Sequence, residues 1–250
     1  MKQSVYLLAV LLFFTISSCS KKKETPYDPS AALAAVVKTV SHSNTGTTDT
    51  YTYDVQGRIQ LLQNSTGSKI SYEYVDSSLT QTNFDATGTV VSITHFVLDS
   101  FGLVSESVTT GAGGAVLAYH NYTFDWERQL TAQYNYTANH DVNGKSEWVW
   151  GGGNLFEYAI YDSVIDHKAF DSYYWYYDPA ITSVGNANTG QKFWGTDSKY
   201  LMRKVIGSTW GAGNTVSTFE YTMDSQQRVT EAKTYDYNGT LKNTDSYTYY

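Results

Sequence analysis

Cys19 is the one cysteine in a chain of 250 residues, and its thiol is the strongest nucleophile the sequence offers. A lone cysteine forms no internal disulfide and builds no thiolate zinc site. The other candidates for chemistry are histidines and carboxylates. His42, His95, His120, His140 and His167 are scattered, with none of the His-Glu-x-x-His spacing that puts two imidazoles on one metal. Asp141-Val142-Asn143-Gly144 resembles the start of a calcium loop, but its glycine comes too early and the acidic ladder is missing. A hairpin turn is the simpler reading. Glu157, Asp162 and Asp166 fall along one stretch. Glycoside hydrolysis needs two carboxylates facing each other across a cleft of about 5–10 Å, which a single strand does not supply. There is no Gly-x-Ser-x-Gly elbow, and Gly111–Gly114 and Gly151–Gly153 read as turns between strands rather than phosphate cradles. No catalytic residue, metal site or cofactor is expected.

The most unusual stretch is Tyr173-Tyr174-Trp175-Tyr176-Tyr177. On a strand, Tyr173, Trp175 and Tyr177 share one face, and Tyr174 and Tyr176 share the other. If one face is exposed, it forms an aromatic platform of the kind that stacks on sugar rings or peptide side chains. Burial of both faces explains the same pattern and is the preferred reading. Trp194, further on, is the other aromatic candidate for ligand contact.

The N-terminus gives Cys19 a role. Lys2 is followed by an apolar run, Val5–Phe14, and then Ile16-Ser17-Ser18-Cys19. The run is too short for a membrane span of about 20 residues but suits a signal-peptide core. The Ile-Ser-Ser-Cys unit resembles a lipobox. That resemblance implies cleavage after residue 18 and a thioether to diacylglycerol on Cys19. Ser20, not an aspartate, follows, which implies release from the inner membrane. Lys21-Lys22-Lys23-Glu24 is basic, whereas surface-exported lipoproteins of the Bacteroidetes type carry an acidic run here. The expected placement is the periplasmic leaflet of the outer membrane. Residues 19–30, with Pro26 and Pro29, read as a flexible tether.

The whole chain carries a net charge of −7. Removing residues 1–18 takes away one base, Lys2, and no acid, which leaves −8. Such a domain is a poor nucleic-acid binder, and anionic headgroups repel it, so the acyl chains must anchor it. With 23 Tyr, 6 Trp and 10 Phe against 3 Pro, the composition points to antiparallel β-structure.

From about residue 47 the chain repeats one theme. An alternating strand runs into an Asp-led turn and an apolar strand returns. Tyr51-Thr52-Tyr53-Asp54-Val55-Gln56-Gly57-Arg58-Ile59 is the clearest copy. Others start at Asp85, Asp99, Asp125 and Asp224, and Tyr237-Asn238-Gly239 closes the set. The aspartate bonds the backbone amides ahead of it, and the glycine takes the φ > 0 position. Copies without glycine, as at Arg128, suggest a longer or bulged turn. Asn143-Gly144 and Asn238-Gly239 suggest two-residue hairpins. Residues 31–37 suggest a short helix behind Ser30 that feeds the first strand. About a dozen strands in a meander need their edges covered, so a strongly curled sheet or partly closed barrel is expected. Residues 178–199 interrupt the meander with Pro179 and a Gly/Asn-rich run, and a helical turn is expected near 190–196. This excursion either carries function or plugs one end of the sheet, and the plug is the preferred reading.

Two family resemblances follow. The Tyr-x-Tyr-Asp-x-x-Gly-Arg unit resembles the tyrosine–aspartate repeats of Rhs-type proteins. Over most of the domain, Trp148-Val149-Trp150-Gly151-Gly152-Gly153-Asn154-Leu155, Tyr176-Tyr177-Asp178, Trp194-Gly195-Thr196-Asp197-Ser198-Lys199-Tyr200-Leu201 and Phe219-Glu220-Tyr221 resemble Bacteroidetes lipoproteins of unknown function with a porin-like fold. Tyr200 departs from the asparagine usual there. This resemblance implies one all-β domain over 31–250 with no known activity. The expectation is an outer-membrane lipoprotein that is not an enzyme and binds an envelope glycan, lipid or protein through aromatic side chains. A purely structural accessory, an integral β-barrel and a hydrolase are the alternatives. The terminal Tyr247-Thr248-Tyr249-Tyr250 suits a membrane barrel, but the frequent Thr, Ser, Asn and Asp at alternate positions do not.

Overall fold

The computed structural model describes residues 36–162, 167–177, 184–209, 213–226 and 228–250. The signal segment, the tether and nearly all of the helix expected over 31–37 lie outside the described residues. The strands are β1 Val37–His42, β2 Thr47–Tyr53, β3 Ile59–Asn64, β4 Lys69–Val75, β5 Ser78–Phe84, β6 Val90–Leu98, β7 Val104–Gly111 and β8 Val116–Phe124. They continue with β9 Leu130–Tyr136, β10 Val142–Gly151, β11 Asn154–Asp162, β12 His167–Tyr176, β13 Met202–Thr209, β14 Gly213–Met223, β15 Val229–Tyr235 and β16 Leu241–Tyr249. Each pairs antiparallel with its sequence neighbours, and β1 pairs with β16, so the sheet is a closed barrel of sixteen strands. The expected all-β meander is present, with more strands than the dozen expected and with full closure. Closure removes the two edges that an open meander would leave unpaired.

The turns follow the expected chemistry closely. Asp54 Oδ1 accepts from the backbone N–H groups of Gln56 and Arg58, both at 2.9 Å, and Gly57 sits at φ 71°. The same bonds form at Asp85, Asp99, Asp224 and Asp236. Arg128 does not lengthen its turn. It adopts φ 63° in the glycine position, and Gln129 still donates to Asp125 at 2.9 Å. Asn238-Gly239 lies inside an Asp236-led turn rather than a two-residue one. Asn143-Gly144 is not a turn: it falls in β10 at a register shift, and the reversal is made by Thr137–Asp141.

Register assigns the faces. Tyr51, Leu62, Ile70, Tyr72, Leu79, Phe96 and Ser107 share the lumen side through their pairings. Glu73, Thr80, His95 and Val108 lie opposite one another on the outer wall. After β12 the chain is described again from Val184 and crosses the end of the barrel where β1 starts. There Asn188 O accepts from Val37 N (2.9 Å) and Gly190 O from Ile59 N (3.1 Å). Thr196 N donates to Arg128 O (2.8 Å) and Lys199 N to Gly153 O (2.9 Å). Four separate stations on the rim therefore hold this segment. It is the plug preferred from the sequence, and its single 3₁₀ turn, Lys192–Trp194, is where a helical turn was expected.

Candidate functional site: the plugged lumen and the aromatic strand

The plug inserts Phe193 into a cluster with Ile59, Tyr72, Leu79, Phe96, Val104 and Tyr122, all buried. Phe193 lies 5.8 Å from the Phe96 ring, and Trp194 lies 5.4 Å from Tyr122 and 5.7 Å from Phe96, both edge-on. Trp194 is therefore half-buried and packed against the core cluster. The lumen at this end is filled by side chains on the side of β3–β8.

The second half of the lumen is lined differently. Tyr174 and Tyr176 of β12 point inward and line a cavity of about 350 Å³ with Tyr200, Tyr221, Tyr247 and Asp197. Ser172 donates to the Tyr174 hydroxyl at 2.9 Å, and Tyr176 Oη lies 2.9 Å from Ser198 Oγ. Burial pushes the hydroxyls of Tyr174, Tyr176, Tyr221 and Tyr247 above their ordinary value, so all four stay protonated at neutral pH. Burial likewise raises the Asp197 carboxyl, although the backbone N–H of Asn186, which it accepts from closely, pulls the other way.

Tyr173 and Trp175 take the outer wall. Trp175 is 44% exposed, with Lys204 Nζ 5.4 Å above its ring. It lines an open groove of about 740 Å³ with Tyr177, Arg203, Lys204, Glu220 and Tyr237. Tyr177 is tied inward by its hydroxyl, which donates to Phe219 O at 2.7 Å. The preferred reading of burial on both faces thus gives way at Trp175, where a platform exists. Of five aromatics that look alike in sequence, Tyr174 and Tyr176 line the lumen cavity, Trp175 and Tyr177 line the outer groove, and Tyr173 stands on the outer wall beside Glu157.

Of the three carboxylates, Glu157 and Asp162 lie on the same strand, β11, rather than on two walls of a cleft. Glu157 pairs with Lys168 and lies 3.5 Å from the Tyr173 hydroxyl, on the outer wall. Asp162 ends β11, and Asp166 lies outside the described residues. Among the histidines, His140 stacks on Tyr119 at 3.9 Å and His95 meets Thr80 at 3.1 Å. His120 meets Asn135 at 2.8 Å. No group of three metal-binding side chains occurs among the described residues. One functional-looking cluster escaped the sequence reading. His42 Nδ1 donates to Asp245 at 2.6 Å and its Nε2 faces Asp49 at 3.2 Å. Its partners come from β16 and β2, so no local spacing could have announced it.

Comparison with solved structures settles the architecture. A porin-like protein from Bacteroides uniformis ATCC 8492 superposes with a TM-score of 0.64 over 86% of this chain and 96% of that one, at 13% identity. A second, from Bacteroides vulgatus ATCC 8482, gives 0.58 over 86% and 99%, at 12% identity. The chain shares the porin-like barrel fold. At such identity the likeness speaks of fold alone. No protein-family profile and no curated protein matches the sequence. Kinship with the Rhs-type repeats gains no support; the tyrosine–aspartate unit is accounted for by its turn.

Proposed function

We propose that this porin-like barrel is a non-enzymatic envelope protein, tethered through a lipid on Cys19, whose wall faces water and whose groove around Trp175 binds a glycan or peptide. The observation that carries this reading is the chemistry of the outer wall. Glu73, Glu106, Glu147, Lys168, Lys204, Glu231 and Lys233 stand on it within the strands. In a lipid-facing barrel a lysine near the bilayer midplane costs about 2–4 kcal/mol. Thr39, Thr50, Thr80, Thr218 and Thr248 add polar surface between them. The plug supports a binding or scaffold role over an open channel.

A second reading, an integral barrel, draws on Val91, Val97 and Leu117, which are 54%, 50% and 57% exposed on β6 and β8. That strip is narrow, and Glu106 on β7 interrupts it. The deciding experiment expresses residues 19–250 carrying Cys19→Ser without detergent. A soluble monodisperse protein is expected; material extractable only by detergent would favour the integral barrel. Glycan and peptide arrays then test the groove, with Trp175→Ala expected to lose what the parent captures. Arrays blank for the parent would end the groove reading. In cells, Cys19→Ser should lose incorporated labelled fatty acid, and retained label would contradict the tether.

A further inference from the structure

The lumen cavity is a second site, separate from the outer groove. We propose that it binds a small organic ammonium ion, held by the Asp197 carboxylate and the surrounding tyrosine rings. Four observations converge. The cavity, at about 350 Å³, lies in the range of small-molecule sites, roughly 300–1,000 Å³. Its walls carry Tyr174, Tyr176, Tyr200, Tyr221 and Tyr247, and the face of an aromatic ring attracts a cation, most strongly where water is excluded.

The two charged side chains that line it are both acidic, Asp197 and Asp245, and no Lys or Arg lines it. Asp245 already pairs with His42 and also accepts from Asn243 at 2.7 Å. Asp197 differs. It accepts from the Asn186 N–H, and no cation pairs with it among the described residues. A partly buried carboxylate without a counter-charge is costly, and a bound cation relieves that cost. Finally, the hydroxyls of Tyr221 and Tyr247 have no hydrogen-bond partner among the described residues, which leaves two acceptors for ammonium N–H groups.

The plug also separates two potentials. Asp197 and Ser198 are shared with a groove on its far side, but that groove carries Arg128, Lys192 and Lys199. A cation is repelled there and favoured inside. Anions and neutral sugars lack the pairing with Asp197 that defines the inner site.

The test titrates the full-length chain with 2-phenylethylammonium and with 2-phenylethanol, its neutral counterpart of nearly equal shape, read by calorimetry and by intrinsic fluorescence. The cation should bind at least tenfold more tightly than the alcohol. Asp197→Asn should erase that difference, and Ala232→Leu, which fills the cavity away from the outer groove, should weaken the cation tenfold or more. Equal affinities for the two probes, no binding of the cation, or an unchanged preference in Asp197→Asn would overturn the proposal. The comparison of probes uses unaltered protein, so it stands even if a variant misfolds. Failure here leaves the groove around Trp175 untouched, and failure there leaves this site untouched.

Discussion

His42 Nδ1 and Asp245 Oδ1 lie 2.6 Å apart, although 203 residues of chain separate them. The imidazole sits on β1 between β16 and β2, with Asp49 Oδ2 at 3.2 Å from its other nitrogen. Asn64 and Asn243 complete the cluster by donating to Asp49 and Asp245, each at 2.7 Å. The imidazole thus bridges three strands at the seam where the barrel closes.

That seam should make stability depend on pH. Burial opposes the charge on His42, but the bonds and charges of Asp245 and Asp49 outweigh it and hold the pKa above its ordinary value. The folded state therefore binds the proton more tightly than the unfolded one. The stabilisation is complete below the ordinary imidazole value of about 6.5 and is lost as pH rises through the raised folded value. Urea midpoints should fall as pH is raised from about 6.5 through the raised folded value. His42→Ala should lower stability at the acidic end by about 1.5–3 kcal/mol, as for hydrogen bonds to charged groups, and flatten the profile. An unchanged slope in the variant would refute this account.

Phe193 should be the main anchor of the plug. Its ring is almost fully buried among side chains of β3–β8. Phe193→Ala should cost about 3–5 kcal/mol if the whole barrel depends on the plug. A smaller loss, together with red-shifted tryptophan emission from Trp194, would show instead that the barrel persists while the plug lifts. Chemical denaturation followed by fluorescence separates the two outcomes.

Two glycines with similar backbone angles should respond differently. Gly102 has φ +77° and open space where a Cβ would stand. Gly102→Ala should cost only the left-handed penalty, about 1–2 kcal/mol. Gly190 has φ +70°, and a Cβ there would stand 2.6 Å from Ile59 N and 2.8 Å from the Tyr53 ring. Gly190→Ala should add about 1–3 kcal/mol of overpacking and detach the plug from β3. Equal losses in the two variants, measured by thermal unfolding, would contradict the close approach.

The Asp-led turns should be separable units. Asp99 accepts from Phe101 N and Leu103 N at 2.8 and 2.9 Å. Asp99→Ala should cost about 1 kcal/mol per lost bond at most, and Asp99→Asn should retain most of the stability because its amide oxygen still accepts. Matching losses in both variants would mean that charge, not the turn bonds, matters at this exposed position.

Much of this protein is written locally. Strands follow from period-two alternation, and turns follow from an aspartate bonding amides two and four residues ahead. Those interactions lie within one hairpin, so the sequence by itself determined an all-β meander, its Asp-led turns and the excursion that interrupts it, whereas Asn143-Gly144, which reads as a turn, falls inside β10. The strand count and full closure were less legible, because a short strand is stable only through its neighbours and closure needs β1 to find β16. The faces of Tyr173–Tyr177 were undecided for the same reason: a period of two says which residues share a side, not which side meets the lumen. Only the tertiary structure sends Tyr174 and Tyr176 inward and Trp175 outward, docks Phe193 among strands more than 70 residues away, and brings His42 to Asp245. Each is a pairing between distant segments, set by the cost of leaving edges, apolar rings and charges unmatched once the barrel is closed.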